Sequence, residues 1–205
     1  LERYDNFHIY CDDAHGFGWD GAHGKGNYLK RAGWHERLVI SAGMAKSFGT
    51  MGGLIATTND DFAEMIRLTG SPLVFGGPIP PPILGASIAS ADIHLSDEHA
   101  VLQNELNERI AFVNDFADEI GLPLLARDHT PLWFTEIGPS KESFAAAEKM
   151  RVLGFYTNPA VFPVVPRGHG GIRFTVTRYN SLEQIEGMLN ALHQTRLEMI
   201  GESEI

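Results

Sequence analysis

The sequence predicts an α/β protein in two parts. Short apolar runs at 7–11, 37–41 and 54–57 read as strands set between glycine-rich loops. A long amphipathic helix follows, with Leu102, Leu106, Ile110, Val113, Ala117 and Ile120 three or four residues apart. Beyond Gly121 strand and helix patterns alternate again, which predicts a smaller second α/β domain from about residue 122.

The elements follow in order. Phe7 to Cys11 reads as a buried strand that delivers Asp12-Asp13-Ala14-His15 at its carboxyl end, where open α/β sheets place their ligands. Glycines 16, 18, 21, 24 and 26 then exclude a long regular element and predict a loop with close backbone approaches. Arg37 to Ser41 and Leu54 to Thr57 are the next strands, and Asn59 or Asp60 caps a helix to about Leu68. The prolines at 78 and 80–82 exclude a helix interior but can open one, so an Ala-rich helix is expected from Ile83 to about Leu95. The long helix starts near Ser96 and stops at Gly121 before Pro123. Leu132 to Ile137 is a strand, Ser140 to Leu153 a helix, Phe162 to Val165 a short extended run and Ile172 to Thr177 a strand. Ser181 and Gln184 form a capping box for a last helix that buries Ile185, Leu189 and Leu192.

Composition narrows the function. A chain of 205 residues at 43% hydrophobic can bury a real core. Its formal charge of -10 argues against nucleic-acid backbones and anionic membranes as partners, since both attract clustered Lys and Arg. Cys11 stands alone, so no intrachain disulfide forms, and no Cys/His cluster has zinc-site spacing. A reducing, cytoplasmic setting is expected. No apolar run approaches the roughly 18–20 residues that span a bilayer. The start, Leu1-Glu2-Arg3-Tyr4-Asp5, is charged, lacks an initiator Met and runs almost directly into a strand, which predicts an excerpt of a longer protein.

One lysine has a setting that points to chemistry. Lys46 lies among Gly43, Gly49, Gly52 and Gly53, where helix stability is no reason for it, since glycine costs about 1 kcal/mol against alanine in a helix interior. Its neighbours Met44, Phe48 and Met51 are apolar, whereas an ordinary surface loop would be polar. An amine in such a place can form a Schiff base with a carbonyl, and pyridoxal phosphate is the cofactor that rests in that state. That cofactor asks for an anion at its pyridine nitrogen, and Asp12 is the natural partner. His15, on the same loop, is placed to tune the imine near the phenolic oxygen. Alone, Asp12 and His15 also fit an ordinary turn, with Asp capping the backbone.

The segment Asp12-Asp13-Ala14-His15-Gly16-Phe17-Gly18, continuing to Gly21, Gly24, Lys25 and Gly26, resembles the cofactor-binding segment of the α-oxoamine synthases. Ala45-Lys46-Ser47-Phe48-Gly49-Thr50-Met51-Gly52-Gly53 is similar to that family's Schiff-base lysine segment, and Arg67 to Pro82 resembles the stretch after it. Asn158 to Pro166, then Gly168, Ile172, Arg173 and Phe174, resembles the block whose arginine binds the amino-acid carboxylate. The resemblance covers essentially the whole chain, with 97–130 matching mainly in layout.

It implies the pyridoxal-phosphate-dependent transferase fold of type I. Residues 1–95 would be the remainder of the large domain, 96–121 a connecting helix and 122–205 the small C-terminal domain. It also implies an acyltransferase that condenses an amino acid with an acyl-CoA or related acyl thioester, usually with loss of carbon dioxide, in a homodimer. Lys46 would bind the cofactor and move the α-proton, Asp12 would pair with the ring nitrogen, His15 would contact the phenolic oxygen and Arg173 would hold the substrate carboxylate. Read from its residues alone, Arg173 suits a bidentate carboxylate clamp and equally a solvent-facing strand position.

Three departures bear on the phosphate. Gly43 stands where the family commonly has threonine or serine, Gly76-Gly77 where relatives have hydroxyl residues, and Asn180 where they often have histidine. Ser41, Ser47 and backbone N–H groups are what the chain offers instead. An aminotransferase of the same fold shares the lysine and aspartate, and a non-catalytic paralogue is marked by loss of the lysine, which is present here.

Overall fold

The structure, a computed structural model, describes residue 1 and residues 3–202. It divides into two compact units, Leu1–Gln103 and Asn104–Ile205.

In the first unit, β1 (Ile9–Asp12) leads through the glycine loop, which holds a single 3-10 turn at Ala22–Gly24, into a short α1 (Asn27–Arg31). Strands β2 (Leu38–Gly43) and β3 (Gly53–Thr57) complete a three-stranded sheet in the order β1-β2-β3. β1 pairs parallel with β2, and β2 pairs antiparallel with β3. The apolar run of β2 explains its central place, for Leu38, Val39, Ile40 and Ala42 are all buried. α2 (Asp60–Thr69) starts where expected, with Asn59 Oδ1 accepting from Phe62 N at 2.9 Å. A four-residue α3 (Ser71–Val74) follows, then α4 (Pro81–Leu95), opened by proline as the sequence predicts. The outer apolar side chains of α4, among them Leu84 and Ile88, are exposed.

α5 (Asp97–Glu119) runs through both units, and its second half carries Ile110, Val113 and Ala117 into the core of the second. There β4 (Leu132–Gly138), α6 (Ser140–Val152), β5 (Asn158–Ala160), β6 (Gly170–Thr175) and α7 (Leu182–Glu202) form an antiparallel sheet in the order β4-β6-β5 under two helices. Trp133 stacks on Phe174 with ring centres 5.5 Å apart, and its indole N–H donates to Asn114 Oδ1 at 2.8 Å, so this large side chain is buried with its polar atom satisfied. The capping box forms as expected, Ser181 N donating to Gln184 Oε1 and Gln184 N to Ser181 Oγ, and Ile185, Leu189 and Leu192 are buried.

Two expected elements differ. β1, expected as a buried strand, alternates half-buried Ile9 and Cys11 with exposed Tyr10 and Asp12, and Phe7 lies outside it and is exposed. Phe162 to Val165 is a turn, closed by Val164 N donating to Val161 O at 2.9 Å, and the strand lies upstream at Asn158–Ala160. Pro163 and Pro166 bring no N–H to a ladder, whereas Pro159 is tolerated on β5 because that strand is an edge.

Gly171 marks the tightest point of the second sheet. A Cβ there would lie 2.1 Å from Thr135 O and 2.7 Å from the Phe134 ring. Gly171→Ala is therefore expected to destabilise the second unit by roughly 1–3 kcal/mol through forced displacement of β4. Denaturant unfolding followed by Trp133 fluorescence checks this, and an unchanged midpoint counts against the packing described.

Candidate active site

The parallel pairing of β1 and β2 places Asp12 directly beside Ser41 at the carboxyl ends of both strands. From there β1 continues to His15 and β2 to the loop 44–52 that carries Lys46. Asp12, His15, Ser41 and Lys46 thus all sit at one edge of the first unit's sheet. Arg173 lies in the second unit, on β6 between Phe134 of β4 and Asn158 of β5, with its side chain exposed while Ile172 and Phe174 are buried. That is the strand alternation the sequence predicts.

Local hydrogen bonds shape the backbone under each of these residues. Asp12 is exposed and its Oδ1 accepts from Ala14 N at 3.0 Å, leaving Oδ2 for another donor. The His15 carbonyl accepts from the Trp19 indole at 2.6 Å, which fixes the turn beneath an exposed imidazole. The lysine loop closes on itself, with Met44 N donating to Gly52 O, Thr50 N to Met44 O and Gly49 N to Lys46 O at 2.8–3.0 Å. Lys46 is exposed at its tip and makes no ion pair among the described residues. Unpaired among the described residues, this amine is available for a covalent bond.

The two loops are packed against each other. Gly18 has φ +94°, and a Cβ there would lie 2.7 Å from Phe48 N and 3.1 Å from Ser47 Cβ, so no side chain fits between the glycine loop and the lysine loop. Phe17 and Phe48 stack with ring centres 5.2 Å apart.

Two buried aspartates shape the glycine loop from below; Asp13 lies within the Asp12–Gly18 segment, whereas no sequence pattern marks Asp20. Asp13 Oδ2 accepts from Tyr28 N at 3.0 Å. Asp20 accepts from Lys30 Nζ at 2.8 Å, Asn27 Nδ2 at 2.9 Å and Gly21 N at 2.9 Å. Burial by itself pushes the Asp20 carboxyl up, but the bonds from Lys30 and Asn27, the Lys30 charge and the Gly21 N–H outweigh it and hold the carboxyl below its ordinary range. Two further buried residues went unrecognised, His94 and His99, lone histidines at helix ends whose spacing carries no motif.

The donor set fits pyridoxal phosphate, with an amine and a carboxylate with one oxygen open for the ring end and the Ser41 hydroxyl for the phosphate end. At the phosphate end Gly43 and Gly77 stand in open space, with nothing within 4 Å of an added Cβ. The described residues contain no group of three or more side chains able to hold a metal ion. A concavity of about 290 Å³ in the second unit, lined by Phe155, Thr157, Phe174, Asn180 and Met188 among others, includes none of the five residues above.

The sequence pattern of the aminotransferase class I and II family matches residues 1–192, and the chain belongs to that family. Among curated relatives, it is 28% identical to 8-amino-7-oxononanoate synthase 1 of Bacillus velezensis over 97% of this chain and 49% of that protein. Among solved structures, Sphingomonas wittichii serine palmitoyltransferase matches with TM-score 0.83 at 23% identity, over 95% of this chain and 48% of that one. Serine palmitoyltransferase from S. paucimobilis, solved with bound PLP-myriocin aldimine, matches with TM-score 0.83 at 19% identity over 95% of this chain and 48% of that one. These likenesses establish the type I transferase fold. The chain spans about half the length of the curated relatives it matches.

The Asp20 cluster makes a pH prediction. A carboxyl held below its unfolded value, about 3.9, contributes stability that is complete above that pH and is lost as pH falls through the lower folded value. Hydrogen-exchange protection of residues 16–30 should accordingly drop below about pH 4. In Asp20→Asn that acid step should vanish, and the loop should be weaker at neutral pH by roughly 1.5–3 kcal/mol, the worth of a hydrogen bond to a charged group. An acid step that survives in Asp20→Asn assigns it to another carboxylate.

Proposed function

We propose that this chain is part of a pyridoxal-phosphate-dependent acyltransferase that condenses an amino acid with an acyl-CoA or related acyl thioester to give an α-oxoamine, usually with loss of carbon dioxide. The observation that carries the reading is the parallel β1/β2 pair, which sets Asp12 beside Ser41 and leads directly into the loop presenting the unpaired Lys46. The names of the relatives, synthases and acyltransferases of this kind, support the reaction class. Residues 1–95 then form the remainder of the large cofactor-binding domain, 96–121 the connecting helix and 122–205 the small domain. Among the described residues no helix is long and apolar enough to cross a membrane. The reading includes a cytoplasmic homodimer, supported by exposed Phe75, Leu84 and Ile88.

Bound pyridoxal phosphate supplies an electron sink for negative charge developing at the α-carbon of the amino acid. Lys46 Nζ would hold the cofactor covalently and would carry the proton at the α-carbon of the amino acid. Asp12 would pair with the ring nitrogen, and Ala14 N–H fixes the rotamer of that carboxylate through Oδ1. His15 would bind the phenolic oxygen and Ser41 would contribute a hydroxyl at the phosphate end. Arg173 holds the substrate carboxylate in a two-bond clamp, with its place on β6 fixed by Phe174 and Ile172 beneath.

Lys46→Ala should lower turnover by about 10²–10⁴-fold, as for loss of a proton-transferring side chain. Because Lys46 is exposed, stability should stay within about 0.5 kcal/mol of the parent. The visible absorbance that develops when pyridoxal phosphate is added to the full-length protein should disappear in this variant. Its persistence, or turnover within tenfold of the parent, removes Lys46 from the role. A keto acid and an aminated cofactor as products, in place of a β-keto amine, would make the enzyme an aminotransferase.

Arg173 separates from the cofactor argument. Arg173→Lys keeps the charge and loses the planar fork, and Arg173→Ala loses both. Each charge-assisted bond lost is worth about 1.5–3 kcal/mol, so amino-acid affinity should fall stepwise through the two variants while cofactor binding stays at the parent level. Titration with amino acid beside steady-state kinetics reads this. Unchanged affinity and kcat/KM in Arg173→Ala place the carboxylate site elsewhere.

A further inference from the structure

His94 and His99 take no part in the chemistry described, yet both are buried and both aim Nε2 at the same atom, the Gly18 carbonyl oxygen, at 2.8 and 3.2 Å. His94 reaches further. Its Nδ1 faces the Ser90 carbonyl at 2.7 Å and lies 3.4 Å from Ser90 Oγ, and that hydroxyl donates to the Phe48 carbonyl at 2.6 Å. Its ring packs on Phe48 with centres 4.9 Å apart and on His99 at 4.7 Å, and its own carbonyl meets His23 Nδ1 at 2.8 Å. The glycine loop wraps it closely enough that a Cβ on Gly24 would lie 2.8 Å from His94 Cδ2. One imidazole therefore touches the glycine loop through Gly18 and Gly24, and the lysine loop through Phe48 directly and through Ser90.

The polar arithmetic shows that this ring is more than filling. Carbonyl oxygens only accept, so a neutral His94, with one N–H, serves either Gly18 or Ser90, and a charged one serves both. Burial holds His99 below the ordinary histidine range, and the nearby His94 and His23 push it the same way against the Gly18 carbonyl, which its Nε2 meets at the longer distance of 3.2 Å. An apolar residue at 94 would leave the Gly18 carbonyl dependent on the longer His99 contact.

We propose that His94 is a positioning residue that locks the Asp12–His15 loop to the Lys46 loop, so that the two sides of the cofactor's anchorage move as one body. The functional meaning rests on the reading of Asp12 and Lys46 given above, whereas the coupling is a property of the two loops and is measurable without cofactor. Neighbouring loops that pack without coupling could loosen separately. Coupled ones cannot.

The test uses the full-length protein with His94→Phe, which keeps a ring against Phe48 and loses both ring nitrogens, His94→Gln, which restores a donor toward Gly18, and Ser90→Ala, which cuts the tie to the Phe48 carbonyl. Hydrogen exchange is followed without cofactor at residues 17–26 and 46–52, with β2 and β6 as internal references, and pyridoxal phosphate affinity is measured by equilibrium dialysis. In His94→Phe both loops should exchange about tenfold faster, ~1.4 kcal/mol, with the strands unchanged, and the cofactor should bind about tenfold more weakly. Ser90→Ala should loosen both loops even though it alters contacts on the lysine-loop side and at the His94 ring alone, and it carries the test should His94→Phe not fold. His94→Gln should recover most of both effects. Loosening of one loop alone, faster exchange spread evenly over loops and strands, or no recovery in His94→Gln would each overturn the proposal. A parent protein that binds no pyridoxal phosphate would refute the reading of the site, while the exchange result would still decide the coupling.

Discussion

A missing side chain at position 18 is the constraint on which the first unit depends. The backbone there passes so close to Phe48 that a Cβ would lie 2.7 Å from its amide nitrogen. That approach converts two sequence-distant loops into one surface, one loop descending from β1 with Asp12 and His15 and the other from β2 with Lys46. The strands set where the loops begin, because Asp12 pairs with Ser41. The contact at Gly18 sets where they end. Neither alone fixes the lysine relative to the aspartate.

Polar groups support this contact from both sides. Below, Asp13 and Asp20 receive the backbone and side-chain donors of a chain segment that has little regular structure of its own. Above, α4 sends Ser87 to the Thr50 hydroxyl and Ser90 to the Phe48 carbonyl. A loop of small residues cannot hold itself by apolar burial, so hydrogen bonds must supply what side-chain packing supplies elsewhere. The clustering of buried Asp and His around glycines therefore has a physical cause, and the low hydrophobic content of residues 12–26 was its sequence counterpart.

What the sequence revealed follows from the range of each interaction. Local signals were readable. Asn59 caps its helix, Ser181 and Gln184 form their box, and proline opens α4, because each involves residues three or four apart or a fixed φ. The Lys46 setting was readable from composition, since glycines around a charged residue in an apolar stretch are hard to explain otherwise. The short extended run expected at 162–165 shows the limit. Apolar character suggested extension, but the prolines there supply no ladder donors, and pairing with β6 went instead to a three-residue edge containing a proline of its own. His94 and Asp20 were invisible because their partners lie 76 and 10 residues away with no periodicity to announce them.

The exposure of Asp12, His15 and Lys46 has an energetic consequence for the proposed chemistry. Two unit charges 4 Å apart interact by about 1 kcal/mol in bulk water and about 4 kcal/mol at the effective dielectric near a protein surface. An aspartate that must keep a ring nitrogen protonated works against solvent unless water is excluded. Asp12, His15 and Lys46 are exposed here, and so are Phe75, Leu84 and Ile88 in the same unit. On the proposed reading, polar groups that need a low dielectric and apolar groups that need cover would both be served by assembly. Removing water from around the charges strengthens their interactions, so a change that weakens assembly should also appear in the cofactor chemistry.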